Sequence, residues 1–206
     1  MPAPFRRPAS LSPAAQDMLP GEPDPALTAE LAHRSAAALL SGVRDSADPA
    51  VVERVLTLVA DEGLEDLAAL WSAAAPTSLP GALWRLYVLH TWASRDPEDV
   101  LHRYRQGTRT VPGLRYLAGM SEPPDVAAVQ QTLDEILRGA FTGDLAIALG
   151  RAGAVTMLIA YGSAHLADQG LGHTAQSALT STAERLLSTG EELAAAARLE
   201  ADGRLD

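Results

Sequence analysis

Apolar residues recur along this chain at the spacing of helices. Between residues 79 and 94, one helical face carries apolar, aromatic and histidine side chains at Leu79, Leu83, Leu86, Tyr87 and His90. A second face repeats every four residues, at Trp84, Val88 and Trp92. A helix with such side chains on two faces needs neighbours around most of its circumference, so this segment is predicted to lie at the centre of the fold.

Helix boundaries follow from short polar residues, prolines and glycines. Asp-Pro pairs begin predicted helices at residues 25, 49 and 97, because the carboxylate can accept from the first-turn amides and proline has no amide to satisfy there. Gly107 is predicted to end the helix that begins at Pro97, in the left-handed cap that glycine adopts without strain. The predicted helices cover residues 25–41, 49–63, 64–75, 79–94, 97–106, 124–139, 145–168 and 174–202.

These helices predict an all-α fold. Alanine and leucine dominate while aromatic residues make up only 4% of the chain, a composition that favours helices over strands. We expect residues 25–206 to form a single helical bundle of about seven or eight helices. Residues 1–24 contain six prolines and almost no periodic apolar pattern, so they are predicted to form a flexible tail.

Two of the later helices carry patterns that predict their neighbours. Residues 145–168 are rich in alanine and glycine, and small residues let helix backbones approach closely, so this helix is predicted to pack deep against the hairpin of residues 79–106. The last helix has leucines every seven residues, at Leu179, Leu186 and Leu193. Such a stripe needs a partner helix, in the same chain or across a homodimer interface, and Gly190 argues against a long free-standing coiled coil.

Composition excludes several classes of chemistry. The chain has no cysteine, and all sixteen of its basic residues are arginine. Thiolate chemistry, disulfides, Schiff bases and a lysine-bearing phosphate loop are therefore absent. The net charge of −10 opposes nonspecific binding to nucleic acid or to an anionic membrane. We expect a cytoplasmic protein with no cofactor, no nucleic-acid partner and no membrane span.

Charge is distributed unevenly, and residues 85–115 form a basic segment. They hold six arginines against three acids, interleaved with histidine and aromatic side chains. This segment predicts a binding site for an acidic protein partner or a small anion, formed by Arg85, His90, Trp92, Arg95, His102, Arg103, Tyr104, Arg105, Arg109 and Arg115. In the alternative interpretation, the arginines pair with acids of the same chain or of a second subunit.

His90 also has two interpretations. On the inner face of the central helix, beside Tyr87 and Arg85, it is a candidate buried acid/base group. The alternative is a core histidine held by a hydrogen bond, and nothing else in the sequence assembles a nucleophile around it.

Two alternative functions remain from the sequence. Glu30 and His33, like Asp99 and His102, are three residues apart, the spacing with which helical bundles hold a carboxylate-bridged metal pair in oxidoreductases. Glu53 and Glu135 are the acids that would complete such a centre. The second alternative is a DNA-binding regulator that makes local contacts through the basic segment. The leading interpretation remains a non-enzymatic binding or regulatory module.

The run LWRLYVLHTWASRDPEDVLHRYRQG, at residues 83–107, resembles uncharacterised helical proteins of high-GC Gram-positive bacteria. A chain that lacks lysine and is rich in alanine fits that source. The resemblance implies neither an activity nor a catalytic residue.

Overall fold

The computed structural model describes residues 24–45, 50, 51, 53, 54, 57, 65–169 and 172–206, and contains no strand among them. Eight helices have both ends within these residues: α1 (Pro25–Arg44), α2 (Glu65–Ser72), α3 (Leu79–Arg95), α4 (Pro97–Thr110), α5 (Leu114–Ala118), α6 (Val126–Thr142), α7 (Leu145–Ala167) and α8 (His173–Ala201). The all-α prediction is confirmed. The predicted flexible tail lies outside the described residues except for Asp24, as does most of the predicted helix over residues 49–63.

Aspartate and serine side chains cap several of the helix starts. Asp24 accepts from the Ala26 amide at 2.9 Å, and Asp96 accepts from the Asp99 amide at 3.4 Å, which confirms both predicted caps. Helix α6 differs by two residues from its predicted start. The helix begins at Val126 and not at Pro124. Asp125 is its N-cap, and the Asp125 carboxylate accepts from the Ala128 amide at 2.7 Å. Each cap satisfies an amide that the helix itself leaves free.

The prediction that α4 ends at Gly107 is wrong, because the helix continues to Thr110. Gly107 is buried where α4 crosses α7, and a Cβ atom on it would stand 1.8 Å from the Leu158 carbonyl oxygen. Glycine is therefore required at this position because the backbones of α4 and α7 approach closely there. The contact with α7, and not a helix end, accounts for Gly107.

Helix α7 is the central helix of the fold. It packs on α4, α5, α6 and α8, and most of its side chains are buried, so the predicted packing against the α3–α4 hairpin is confirmed on its α4 side. Among the described residues it is the one helix long and apolar enough to span a membrane, and 67% of its most apolar stretch is buried inside the protein. A core helix meets the same criteria of length and hydropathy.

Helix α8 lies along α7 for most of its length. Leu193 is fully buried there, so α7 of the same chain is the partner helix for this end of the leucine stripe. A Cβ atom on Gly190 would stand 3.0 Å from the Gly153 carbonyl oxygen, which shows how closely the two backbones approach. The first turns of α8 are much less buried, since residues 173–182 are exposed apart from half-buried Leu179 and Thr182.

Candidate binding site in the basic segment

Arg85 ties α3 to α8. Its Nε donates to the Glu192 carboxylate at 2.7 Å, and its Nη1 donates to the Gly81 carbonyl at 2.9 Å. The side chain is only 17% exposed. A partly buried arginine with two good acceptors is satisfied within its own chain, so Arg85 is not available to a ligand.

Arg103 is held from three sides. Its Nε donates to Asp99 at 2.7 Å, and its Nη1 donates to the Ser163 hydroxyl on α7 at 3.0 Å. The guanidinium lies 5.9 Å from the centre of the Trp92 ring, within the range of a cation–π contact. Arg103 therefore joins α4 to α7 and fixes the indole, and both are parts of the packed structure.

Arg115 lies at the other end of the segment, on α5. Its Nη2 donates to the Tyr116 hydroxyl at 2.8 Å, and its guanidinium lies 4.8 Å from the centre of the Tyr116 ring. The hydrogen bond to Tyr116 is the largest cause of a raised pKa at Arg115. Its Nη1 is 3.9 Å from a Glu122 oxygen, an ion pair too long for a hydrogen bond.

Three side chains on one exposed face of α4 have no carboxylate partner among the described residues, unlike Arg85, Arg103 and Arg115. His102, Arg105 and Arg109 lie at helical spacing, and all three are exposed. Arg105 donates to the Pro124 carbonyl at 3.1 and 2.5 Å, and Arg109 donates to the Gln106 side chain at 3.3 Å. Both acceptors are neutral, so neither positive charge is compensated. We call His102, Arg105 and Arg109 the α4 basic face.

Arg95 lies at the corner between α3 and α4 and is exposed. Within the described part of the chain, neither it nor the two arginines of the α4 basic face pairs with a carboxylate. The structure thus divides the six arginines of the basic segment into two sets. Arg85, Arg103 and Arg115 have carboxylate partners, whereas Arg95, Arg105 and Arg109 do not.

His90 is buried and faces α6. Its Nε2 lies 2.7 Å from a carboxylate oxygen of Asp134, 44 residues later in the chain, while its Nδ1 is buried without a partner. This contact fits a core histidine held by a hydrogen bond. No local pattern in the sequence indicates which acid of α6 meets α3, so Asp134 could not be predicted from it.

Tyr104 is also buried, at 1% exposure, and its hydroxyl has no hydrogen-bond partner. Burial is the first cause of a pKa raised to about 12, the charge of Glu122 adds to the increase, and Arg115 opposes it. Tyr104 is therefore part of the core and does not lie on the exposed face that carries its neighbour Arg105.

The residues of the predicted metal pair are not assembled. Among the described residues, no group of three or more histidine and acidic side chains is placed to hold a metal ion. The acids have other contacts: Glu30 lies 3.8 Å from Arg34, Asp99 binds Arg103, and Glu135 lies 3.4 Å from Arg151. Glu53 pairs with Arg138. The four acids thus lie in separate ion pairs.

Comparison with known proteins identifies no relative of this chain. No protein-family model, curated protein or solved structure matches the chain.

Proposed function

We propose that this protein is a non-enzymatic binding module that docks an acidic segment of a partner protein on the α4 basic face. One observation carries the proposal. Arg105 and Arg109 are exposed beside His102, and they have no carboxylate partner among the described residues. In a chain with 26 acids and a net charge of −10, this absence of pairing is not due to a shortage of acids.

The surrounding charge supports a specific orientation of the partner. An acidic segment is repelled by most of a surface with net charge −10 and attracted only where positive charge is uncompensated. Arg95, at the corner where α4 begins, extends that region beyond the α4 basic face. Charge of this kind sets the approach and register of a partner more than the final affinity.

The shape of the surface favours an extended segment over a small anion. Small-molecule sites are concave, whereas the α4 basic face is the exposed side of a helix. Its three side chains are spread from position 102 to position 109, a distance of roughly 10 Å along a helix. A chain with several acidic side chains can reach all three, and a single small anion cannot.

A labelled oligoglutamate peptide tests the proposal by fluorescence anisotropy. The double variant Arg105→Gln with Arg109→Gln keeps polar side chains at both positions but removes two positive charges. We expect it to weaken binding about tenfold, since each exposed ion pair contributes up to about 1 kcal/mol. The matched control is Arg198→Gln with Arg204→Gln, which removes equal charge from two exposed arginines near the end of the chain.

The result that overturns the proposal is a wild-type protein that does not bind the peptide, or two double variants that bind it equally well. A duplex DNA probe separates the nucleic-acid alternative. Tighter binding of DNA than of the peptide, with affinity that falls steeply as salt rises, would favour the DNA-binding regulator.

We further propose that the protein forms a homodimer through the first turns of α8. Residues 173–182 form a helical stretch that is exposed apart from half-buried Leu179 and Thr182, and it contains no acid or arginine. An uncharged surface is where two copies of a protein with net charge −10 can approach with the least repulsion. Leu179, the half-buried first leucine of the stripe, lies within it.

A further inference from the structure

Between α4 and α6 the chain forms a second candidate site, separate from the α4 basic face. A cavity of about 400 Å³ opens there, lined by Arg115, Tyr116, Gly119, Met120 and Glu122. We call it the α5 pocket. Its volume lies within the range of about 300 to 1,000 Å³ that is usual for small-ligand sites.

The α5 pocket presents one positive and one negative group side by side. The Arg115 Nη1 and a Glu122 oxygen are 3.9 Å apart, so they attract each other without a hydrogen bond between them. Glu122 makes no other ion pair, and its side chain makes no hydrogen bond, with the described residues. Arg115 makes one further hydrogen bond, to Tyr116. Both groups therefore retain capacity to bind a ligand, and the planar guanidinium suits a carboxylate.

The wall of the pocket is fixed by α7. The Arg151 Nε donates to the Ala118 carbonyl at 3.3 Å, and Gly119 follows with φ of 68°, a left-handed conformation that favours glycine. Met120 is buried and Tyr116 is exposed, so apolar surface lies next to the two charges. A site whose backbone is already held loses less conformational freedom on binding.

We infer that the α5 pocket binds a small zwitterion of the α-amino-acid type. Arg115 binds the carboxylate, Glu122 binds the ammonium group, and any apolar side chain lies against Met120 and Tyr116. The adjacent protein charges match a ligand whose own charges are separated by one carbon, and a simple anion or cation would leave one protein charge without a partner. This inference does not depend on the α4 basic face.

Isothermal titration of the full chain with glycine, L-leucine and L-glutamine tests the site. We expect at least one to bind with a Kd of about 1 mM or lower, a range usual for so small a ligand. N-acetyl-L-leucine, which lacks the ammonium group, and L-leucine methyl ester, which lacks the carboxylate, should each bind at least about tenfold more weakly than L-leucine.

Three variants assign the contacts. Arg115→Gln and Glu122→Gln should each weaken amino-acid binding about tenfold or more, whereas Arg185→Gln on α8 should leave it unchanged. The inference is overturned if none of the three amino acids binds at about 10 mM, or if the Arg115 and Glu122 variants bind them like wild type. Equal binding of N-acetyl-L-leucine and L-leucine would also overturn it, since that result indicates a simple anion site.

Discussion

Gly107 and Gly162 lie against each other where α4 crosses α7. A Cβ atom on Gly162 would stand 3.0 Å from the Gly107 amide nitrogen and 1.8 Å from the Arg103 carbonyl oxygen. A Cβ atom on Gly107 would stand 1.8 Å from the Leu158 carbonyl oxygen. Because the obstructing atoms are backbone, a rotamer change cannot relieve either contact, and the two helices would have to separate.

Gly107→Ala and Gly162→Ala should therefore destabilise the protein strongly. We expect each to lower the free energy of unfolding by about 3 kcal/mol, at the upper end of the usual cost of overpacking. The measurement is urea unfolding followed by circular dichroism. Gly139→Ala in α6 is the control, because nothing lies within 4 Å of a Cβ there. It should be neutral or stabilising by up to about 1 kcal/mol. Equal stability of all three variants would contradict the close crossing.

Local patterns predicted the helices but not the crossings. Apolar periodicity and Asp-Pro starts located α1, α3 and α4 to within a few residues, because helix formation and capping depend on neighbouring residues. The role of Gly107 depends on Leu158, which is distant in sequence. A glycine within a helical pattern is typical both of a helix end and of a close packing contact. The sequence alone favoured the helix end, which is wrong for Gly107.

The same limit applies to the candidate site. Sequence analysis located the basic segment, but it could not divide its arginines into paired and unpaired sets. Arg85 meets Glu192, 107 residues away, whereas Arg103 meets Asp99, four residues earlier in the same helix. Arg105, only two positions from Arg103, points to a backbone carbonyl instead. The pairing of Arg85 is therefore decided by the helix faces that tertiary packing brings together, and no local pattern indicates it.

Tyr104 gives the stability of the protein a specific dependence on pH. Burial raises its pKa from 10.0 to about 12 in the folded state. Below about pH 10 the tyrosine is neutral in both the folded and the unfolded states, so its contribution to the free energy of unfolding is fully present. Between about pH 10 and 12 only the unfolded state loses the proton, so stability falls by up to about 3 kcal/mol.

Comparison with Tyr104→Phe isolates this effect from other groups that titrate in alkali. At about pH 8 the variant should be more stable than wild type by about 1 kcal/mol, because it no longer buries an unpartnered hydroxyl. Its advantage should grow as the pH rises above about 10. Urea unfolding at a series of pH values measures the difference. A difference that stays constant up to about pH 11 would contradict the raised pKa.

The exposed start of α8 leads to a prediction about assembly. Ala178 is exposed within the uncharged stretch of residues 173–182, so Ala178→Arg should place a charge in the proposed dimer interface and leave the monomer intact. We expect the dimer dissociation constant to rise about tenfold or more, since a charge buried without a partner disfavours association. Sedimentation velocity over a range of concentrations measures it.

The sign of the added charge makes this test specific. An arginine makes the protein less negative, so it reduces the general repulsion between two copies with net charge −10. A weaker dimer can then be attributed only to the position of the charge. Ala201→Arg adds the same charge at an exposed alanine at the other end of α8 and should not weaken the dimer. If wild type remains monomeric at about 100 µM, or if both variants associate equally, then the start of α8 is not an interface and its exposed turns must be stabilised within the monomer.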